Sequence, residues 1–113
     1  MSDQKIFLTL EKGDKQIEIV KTYDSAFARE AFEEMDEAAK GVLGESLVIE
    51  GTLDNEGAPF TDDDLWHGLE EGAREDWNSF SYFVVREKCS LTDRPLFVSS
   101  DWPTAERFAK LQA

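Results

Sequence analysis

The sequence predicts an α+β fold, in which an antiparallel sheet of about four to five strands has helices packed on a face. Three observations lead to this prediction. Each end of the chain has the outline strand, turn, strand, helix, and a second amphipathic helical pattern lies between the two ends. The 113 residues are 41% hydrophobic and 12% aromatic, which is enough for one core. We therefore expect one domain over residues 1–113, with the element order ββα-β-α-ββα.

The first predicted element is a β-hairpin. Ile6, Leu8 and Leu10 stand at every second position of residues 5–10, and Ile17 and Ile19 do so in residues 16–21, as in strands that bury one face. The segment 11–15 between them contains Gly13, a residue typical of turns. A strand, a short turn and a second strand are therefore expected here.

A helix is predicted next, from about Asp24 to Lys40, with Asp24 or Ser25 as its cap. At 100° per residue its hydrophobic side chains fall on one arc and its acidic side chains on the opposite arc. The acidic arc holds Glu30, Glu33, Glu34, Asp36 and Glu37. One side of this helix is expected to face the core, and the other side to face water.

The remaining elements follow from the same patterns. In order, we expect a strand over 47–50, a loop over 51–59, a helix over 62–77, strands over 80–86 and 95–99, and a helix over 102–111. Gly68 and Gly72 weaken the prediction of the 62–77 helix by roughly 1 kcal/mol each relative to alanine. The aromatic residues predicted to lie in the core are Trp66, Trp77, Phe80, Tyr82, Phe83, Phe97 and Phe108.

The net charge of −13 is the unusual feature of the composition. Residues 1–40 carry −4, residues 41–76 carry −10 and residues 77–113 carry +1, so the acidic charge is concentrated in the central segment 41–76. Such a field repels nucleic acids and anionic membranes and attracts basic surfaces. We expect a basic protein partner, and neither nucleic acid nor a membrane.

The acidic run that begins at Thr61 has a purely structural explanation. Thr61 can cap the 62–77 helix, and Asp62, Asp63 and Asp64 then fill its first turn, near the positive end of the helix dipole. Asp64 also stands where a capping box places its acidic residue. These three aspartates are therefore explained without any function.

The row Glu30, Glu33, Glu34 and Glu37 has no comparable explanation. The spacing i, i+3, i+4 and i+7 places four like charges side by side on the predicted helix, and each close pair costs about 0.2–0.5 kcal/mol. The row would span ~10 Å, a length that holds about three phosphates of one DNA strand. A solvated helix face is the structural alternative.

We predict a partner-binding surface made by this row together with a second cluster, Asp62, Asp63, Asp64, Glu71 and Glu75. In charge and size the chain resembles phage-borne DNA-mimic inhibitors of restriction or CRISPR systems. The resemblance implies a non-enzymatic inhibitor that occupies the basic groove of a nucleic-acid-binding protein. A toxin-immunity protein, acidic because its target nuclease is basic, is an alternative.

A metal-binding module or small metalloenzyme is a different alternative. Asp63, His67 and Glu71 stand at i, i+4 and i+8 on the predicted helix, and Asp54 or Glu56 would have to supply further ligands. The chain has one histidine, no glycine-rich phosphate loop and no nucleophile elbow. The expectation is therefore that the protein is not an enzyme and has no metal or other cofactor. An accessory domain with solvated helices is the remaining alternative.

The predictions of localisation and of assembly rest on fewer residues. The sequence contains no apolar segment near the ~20 residues of a membrane span, and its first residues, MSDQK, lack a signal-peptide pattern. A single cysteine, Cys89, fits a reducing compartment, and we expect a cytoplasmic protein. Trp102, beside the last helix, could anchor a homodimer or another partner.

Overall fold

The computed structural model of the protein describes residues 4–53, 60–75, 81–88 and 93–112. In chain order the elements are β1 (Gln4–Lys12), β2 (Lys15–Thr22), α1 (Ser25–Glu34), α2 (Glu37–Ile49), α3 (Asp62–Glu75), β3 (Tyr82–Lys88), β4 (Asp93–Ser99) and α4 (Trp102–Gln112). This is an α+β architecture with an antiparallel sheet, as the sequence predicts. None of the helices in the described part of the chain is long and apolar enough to cross a membrane.

The sheet has the strand order β1-β2-β3-β4, and every neighbouring pair is antiparallel. The predicted hairpin is confirmed: Lys12 pairs with Lys15, and the two residues between them form the turn. Gly13 has φ of +58°, a backbone conformation that residues with a side chain seldom adopt. In this topology β1 and β4 are the two edge strands.

Helices cover both faces of the sheet, rather than the one face predicted. Tyr82 and Phe83 are consecutive residues of β3, so their side chains point to opposite faces. The ring of Tyr82 stacks on Trp66 of α3, whereas Phe83 contacts Trp102 of α4. Both side chains are at most 2% exposed, because α1, α2 and α3 lie on one side and α4 on the other.

The predicted helix from Asp24 to Lys40 is wrong in one respect: the chain forms two helices there. Met35 and Asp36 have extended backbone conformations, with ψ of 144° and 167°. The Asp36 carboxylate accepts a hydrogen bond from the backbone N–H of Ala39 at 2.7 Å and so caps a new helix. The apolar arc used for the prediction continues through the break, which is why periodicity alone did not reveal it.

The predicted strand at 47–50 is also wrong, because this segment is the end of α2. Ala39, Leu43 and Leu47 recur every four residues and are all buried, so the apolar side of α2 extends to its last turn. Ile49, the last residue of α2, is 85% exposed. The observed order is therefore ββαααββα.

The third helix begins at Asp62, as the sequence predicts, and its two glycines have a packing role. A Cβ atom at Gly68 would lie 3.1 Å from Leu53, and one at Gly72 would collide with the Ser100 hydroxyl. The two glycines thus let α3 approach its neighbours closely. The predicted end of this helix at Trp77, the core roles of Trp77 and Phe80, most of the 51–59 loop and Cys89 lie outside the described residues.

Candidate acidic interface

The beginning of α3 lies against α1, so the structure brings parts of the two predicted acidic clusters together. Arg29 of α1 makes the connection: its Nε donates to Glu33 Oε1 at 3.0 Å, and its Nη2 donates to Asp63 Oδ1 at 3.4 Å. The hydrogen bond to Glu33 is the main cause that raises the pKa of Arg29. Glu33 and Asp63, which are 30 positions apart in the chain, thus share one guanidinium group.

A second cation joins α2 to α3. Lys40 Nζ lies 2.9 Å from Asp62 Oδ2, and the Lys40 side chain is 8% exposed whereas that of Asp62 is 58% exposed. The ammonium group also lies 5.2 Å from the centre of the Phe32 ring. The Asp62 carboxylate therefore compensates the buried ammonium group of Lys40, although the Asp62 side chain itself remains exposed.

We use the name α1–α3 strip for the three carboxylates that these contacts join and for three further glutamates of α1 and α2, which together are Glu30, Glu33, Glu34, Glu37, Asp62 and Asp63. All six are exposed. Glu30, Glu34 and Glu37 have no ion-pair partner within 4 Å in the described part of the chain. Six carboxylates with Arg29 and Lys40, the two cations that pair with them, give the strip a formal charge of −4.

The row of four glutamates is interrupted by the break between α1 and α2. Glu30, Glu33 and Glu34 belong to α1, but Glu37 is the first residue of α2. Glu37 instead borders a shallow depression between α2 and α3, which it shares with Lys40 and Asp62. The four side chains therefore do not form the single straight row that the spacing predicted.

Asp64 turns away from the strip into a capping box. Its carboxylate accepts a hydrogen bond from the backbone N–H of Thr61 at 3.1 Å, and the Thr61 hydroxyl accepts one from the N–H of Asp64 at 3.2 Å. The bond from the Thr61 N–H is the main cause that lowers the pKa of Asp64. The structural explanation predicted for Asp64 is confirmed.

The two remaining predicted residues lie further along α3. Glu71 Oε1 lies 3.3 Å from His67 Nε2, and Glu75 is exposed in the last turn. Asp63 is engaged with Arg29, so the ladder Asp63, His67 and Glu71 is not assembled. No group of three metal-ligating side chains forms among the residues that the structure describes, and Asp54 and Glu56 lie outside them.

A second depression adjoins the strip between α1 and the β3–β4 edge of the sheet. Its apolar lining comes from Phe27, Ala31, Val84 and Pro95, and its charged lining from Glu30, Glu34, Arg86 and Asp93. Arg86 is held by Glu18, with 3.0 Å between Nε and Oε1, and it lies 3.9 Å from Asp93. Since Arg86 already has these two partners, Glu30 and Glu34 remain available to an incoming cation.

Sequence reasoning missed the cations that organise this surface. Arg29 pairs with Glu33 within its own helix, as residues at i and i+4 can. The contacts of Arg29 with Asp63 and of Lys40 with Asp62 cross between helices, over 34 and 22 positions. No local pattern in the sequence signals such a contact.

Comparisons with known protein families, with curated proteins and with solved structures gave no match. The functional argument therefore rests on the geometry and charge of the α1–α3 strip.

Proposed function

We propose that this protein binds a basic partner protein through the α1–α3 strip and so keeps that partner from its nucleic acid. The sharpest form of the proposal is a DNA-mimic inhibitor of the anti-restriction or anti-CRISPR type. The observation that carries it is the position of Arg29, which draws Asp63 of α3 towards Glu33 of α1. The proposal needs acidic groups of separate helices on one surface, and this contact supports that arrangement.

The charge spacing on α1 supports imitation of a phosphate backbone. Glu30, Glu33 and Glu34 lie within five helical residues, and the four steps from Glu30 to Glu34 span ~6 Å at 1.5 Å per residue. One DNA strand places about two phosphates over this length of its axis, because its charges follow each other every ~3.4 Å. Asp63 continues the acidic surface onto the next helix. A basic groove that fits a nucleic-acid strand would meet a comparable charge density here.

The depression beside α1 offers a place for one basic side chain of the partner. Phe27, Ala31 and Val84 give it an apolar floor, on which the methylene groups of a lysine or arginine can pack. Glu30 and Glu34 stand at its rim and can receive the charged end. An anchor of this kind would add packing energy to an otherwise electrostatic contact.

A binding experiment with altered charge tests the proposal. Basic nucleic-acid-binding proteins are titrated with the wild type and with a variant carrying Glu30→Gln, Glu34→Gln and Asp63→Asn. We expect the triple variant to bind at least about tenfold more weakly, and wild-type affinity to fall steeply between about 50 and about 500 mM NaCl. Added duplex DNA should compete with the wild type for the same site.

A matched control removes the same amount of charge elsewhere. Glu11→Gln, Glu45→Gln and Glu106→Gln also change the net charge from −13 to −10, but all three positions lie outside the strip. This control should retain wild-type affinity apart from a small loss of association rate. Equal weakening of both variants would mean that net charge matters and the strip does not. A complex indifferent to salt would contradict the proposal altogether.

A further inference from the structure

We propose that two copies of this chain associate through their β1 strands, which pair antiparallel and join two four-stranded sheets into one of eight strands. This inference uses the opposite edge of the sheet from the α1–α3 strip, and it does not depend on the proposed function. Three features of β1 carry it: an open backbone edge, exposed apolar side chains on both faces, and a local charge unlike that of the acidic helices α1, α2 and α3.

The open edge follows from the hairpin geometry. Among the strands that the structure describes, β1 has β2 as its sole neighbour. Residues of an antiparallel pair alternately exchange hydrogen bonds with the partner strand and point these groups away from it. Because Lys12 and Lys15 close a two-residue turn, Leu10 and Leu8 bond to β2, whereas the backbone groups of Glu11 and Thr9 point to the free edge. Such groups are a template for another strand.

Apolar side chains stand beside this edge. Ile6 is 48% exposed and Phe7 is 43% exposed, at the point where the pairing with β2 shifts by one residue. The Phe7 ring packs against two other rings, because its centre lies 6.3 Å from that of Phe83 and 5.9 Å from that of Trp102. Ile6 pairs with Val20, on the face that α1 covers. A strand added to β1 would therefore find apolar contacts on both faces.

The charge distribution selects a second copy as the occupant. Residues 4–22, which form the β1–β2 hairpin, carry three acidic and four basic side chains, a net charge of +1. The rest of the protein therefore carries −14. Repulsion between two identical chains is therefore weaker at this hairpin than at the acidic helices α1, α2 and α3, whereas a basic partner is drawn to those helices instead. The hairpin edge is thus a surface at which self-association meets little repulsion.

The arrangement also keeps the acidic surfaces of the two copies apart. The depression lined by Glu30 and Glu34 borders β4, as Asp93 and Pro95 show. β4 is separated from β1 by three strand spacings, or about 14 Å. A two-fold axis at β1 places the two acidic surfaces at the far ends of the joined sheet. The dimer would then present two separate binding surfaces, which gives it avidity for a partner with two basic sites.

Sedimentation equilibrium tests the pairing. One strand pair buries little area, so we expect a dissociation constant of about 10–100 μM and a species of twice 12.8 kDa at higher concentrations. Thr9→Pro removes an N–H that points to the free edge, and this change should leave a folded monomer. Thr9→Val keeps the N–H and should dimerise like the wild type. Thermal unfolding of each variant establishes that its fold is intact.

Amide hydrogen exchange adds a second readout. The N–H groups of Thr9 and Glu11 should exchange more slowly as the protein concentration rises, whereas exposed amides elsewhere should not change. A wild type that stays monomeric up to about 1 mM would overturn the proposal, and so would a Thr9→Pro variant that dimerises equally well. Dimerisation should persist or strengthen in about 500 mM NaCl, because salt screens the repulsion between copies. Partner binding should weaken there, so failures of the two proposals are distinguishable.

Discussion

Lys40 and Asp62 form an ion pair in which the Lys40 side chain is buried and the Asp62 side chain is exposed, with 2.9 Å between Nζ and Oδ2. The next residue, Asp63, pairs with Arg29 at 3.4 Å but has a side chain that is 91% exposed. Two adjacent aspartates in the first turn of α3 thus have different surroundings. Asp62 compensates a buried ammonium group, whereas Asp63 forms an exposed ion pair that a partner can reach.

This difference predicts unequal effects of the same substitution. Asp62→Asn leaves Lys40 without its counter-charge, so the free energy of unfolding should fall by about 1–3 kcal/mol. Asp63→Asn should cost less than about 1 kcal/mol, because its ion pair is exposed. Urea denaturation of both variants measures the difference. Equal losses would contradict the assignment of Asp62 to stability and of Asp63 to binding.

Tyr82 predicts a stabilising substitution. Its ring stacks on Trp66 at 5.5 Å with 10° between the planes, but its buried hydroxyl has no hydrogen-bond partner among the residues that the structure describes. Tyr82→Phe keeps the stack and removes the unsatisfied group, so the free energy of unfolding at neutral pH should rise by about 1 kcal/mol or stay unchanged. A loss above about 1 kcal/mol would show that the hydroxyl makes a favourable contact.

The same hydroxyl predicts a pH effect. Burial, followed by the nearby Glu70 charge, raises the pKa of Tyr82 to about 12. The unfolded chain therefore ionises at this residue first, at about pH 10, and wild-type stability falls as the pH rises from there towards about 12. Tyr82→Phe lacks this loss. Unfolding measured at about pH 9 and about pH 11 should show a difference between variant and wild type that grows with pH.

The surroundings of two helical glycines predict that substitution by alanine has opposite effects on the free energy of unfolding. A methyl group at Gly72 would meet the side chain of Ser100, whereas nothing lies within 4 Å of one at Gly41. Gly41→Ala should raise the free energy of unfolding by about 0.5–1 kcal/mol through helix propensity. Gly72→Ala should lower it by about 1–3 kcal/mol because of overcrowding. Adding Ser100→Gly should recover part of that loss, and a stabilised Gly72→Ala protein would argue against the close contact.

The capping box at the start of α3 gives a further pH-dependent prediction. The pKa of Asp64 is lowered first by the backbone N–H of Thr61, so its ionised form is favoured in the folded protein. The stability it contributes is present above the usual aspartate pKa of about 4 and is lost as the pH falls below it. Thr61→Ala should cost about 1 kcal/mol at pH 7 through loss of the cap. Because Thr61→Ala keeps the backbone N–H that bonds to the Asp64 carboxylate, its cost should change less with pH than that of Asp64→Asn. The difference between Asp64→Asn and wild type should shrink at about pH 3, where wild-type Asp64 becomes protonated.

The sequence correctly predicted those elements that a single local pattern determines. The alternation in the hairpin and the cap at Thr61 each agree with the structure, because nothing competes with them. Errors arose where two signals overlap. The apolar arc that ends at Met35 and Ala39 is continuous, but Asp36 caps a new helix within it. At residues 47–50, β-branched residues suggested a strand, whereas the four-residue recurrence from Ala39 onward favours a helix.

The candidate site was less predictable than the fold. Its acidic residues were found from charge and spacing, but their grouping depends on contacts between distant parts of the chain. The pairing of Arg29 with Asp63 is set by how α1 and α3 pack on the sheet, and the close approach permitted by Gly68 and Gly72 contributes to that packing. A single sequence carries no direct record of such contacts.

The two-sided burial of β3 has a consequence for how the chain finds its register. Tyr82 fits against Trp66 on one side, and Phe83 fits against Trp102 on the other. A slip of one position would exchange the sides of both rings and disturb two packed layers at once. Misaligned pairings of the central strand are thus penalised twice, which should make alternative folded states scarce and the transition to the native sheet highly cooperative.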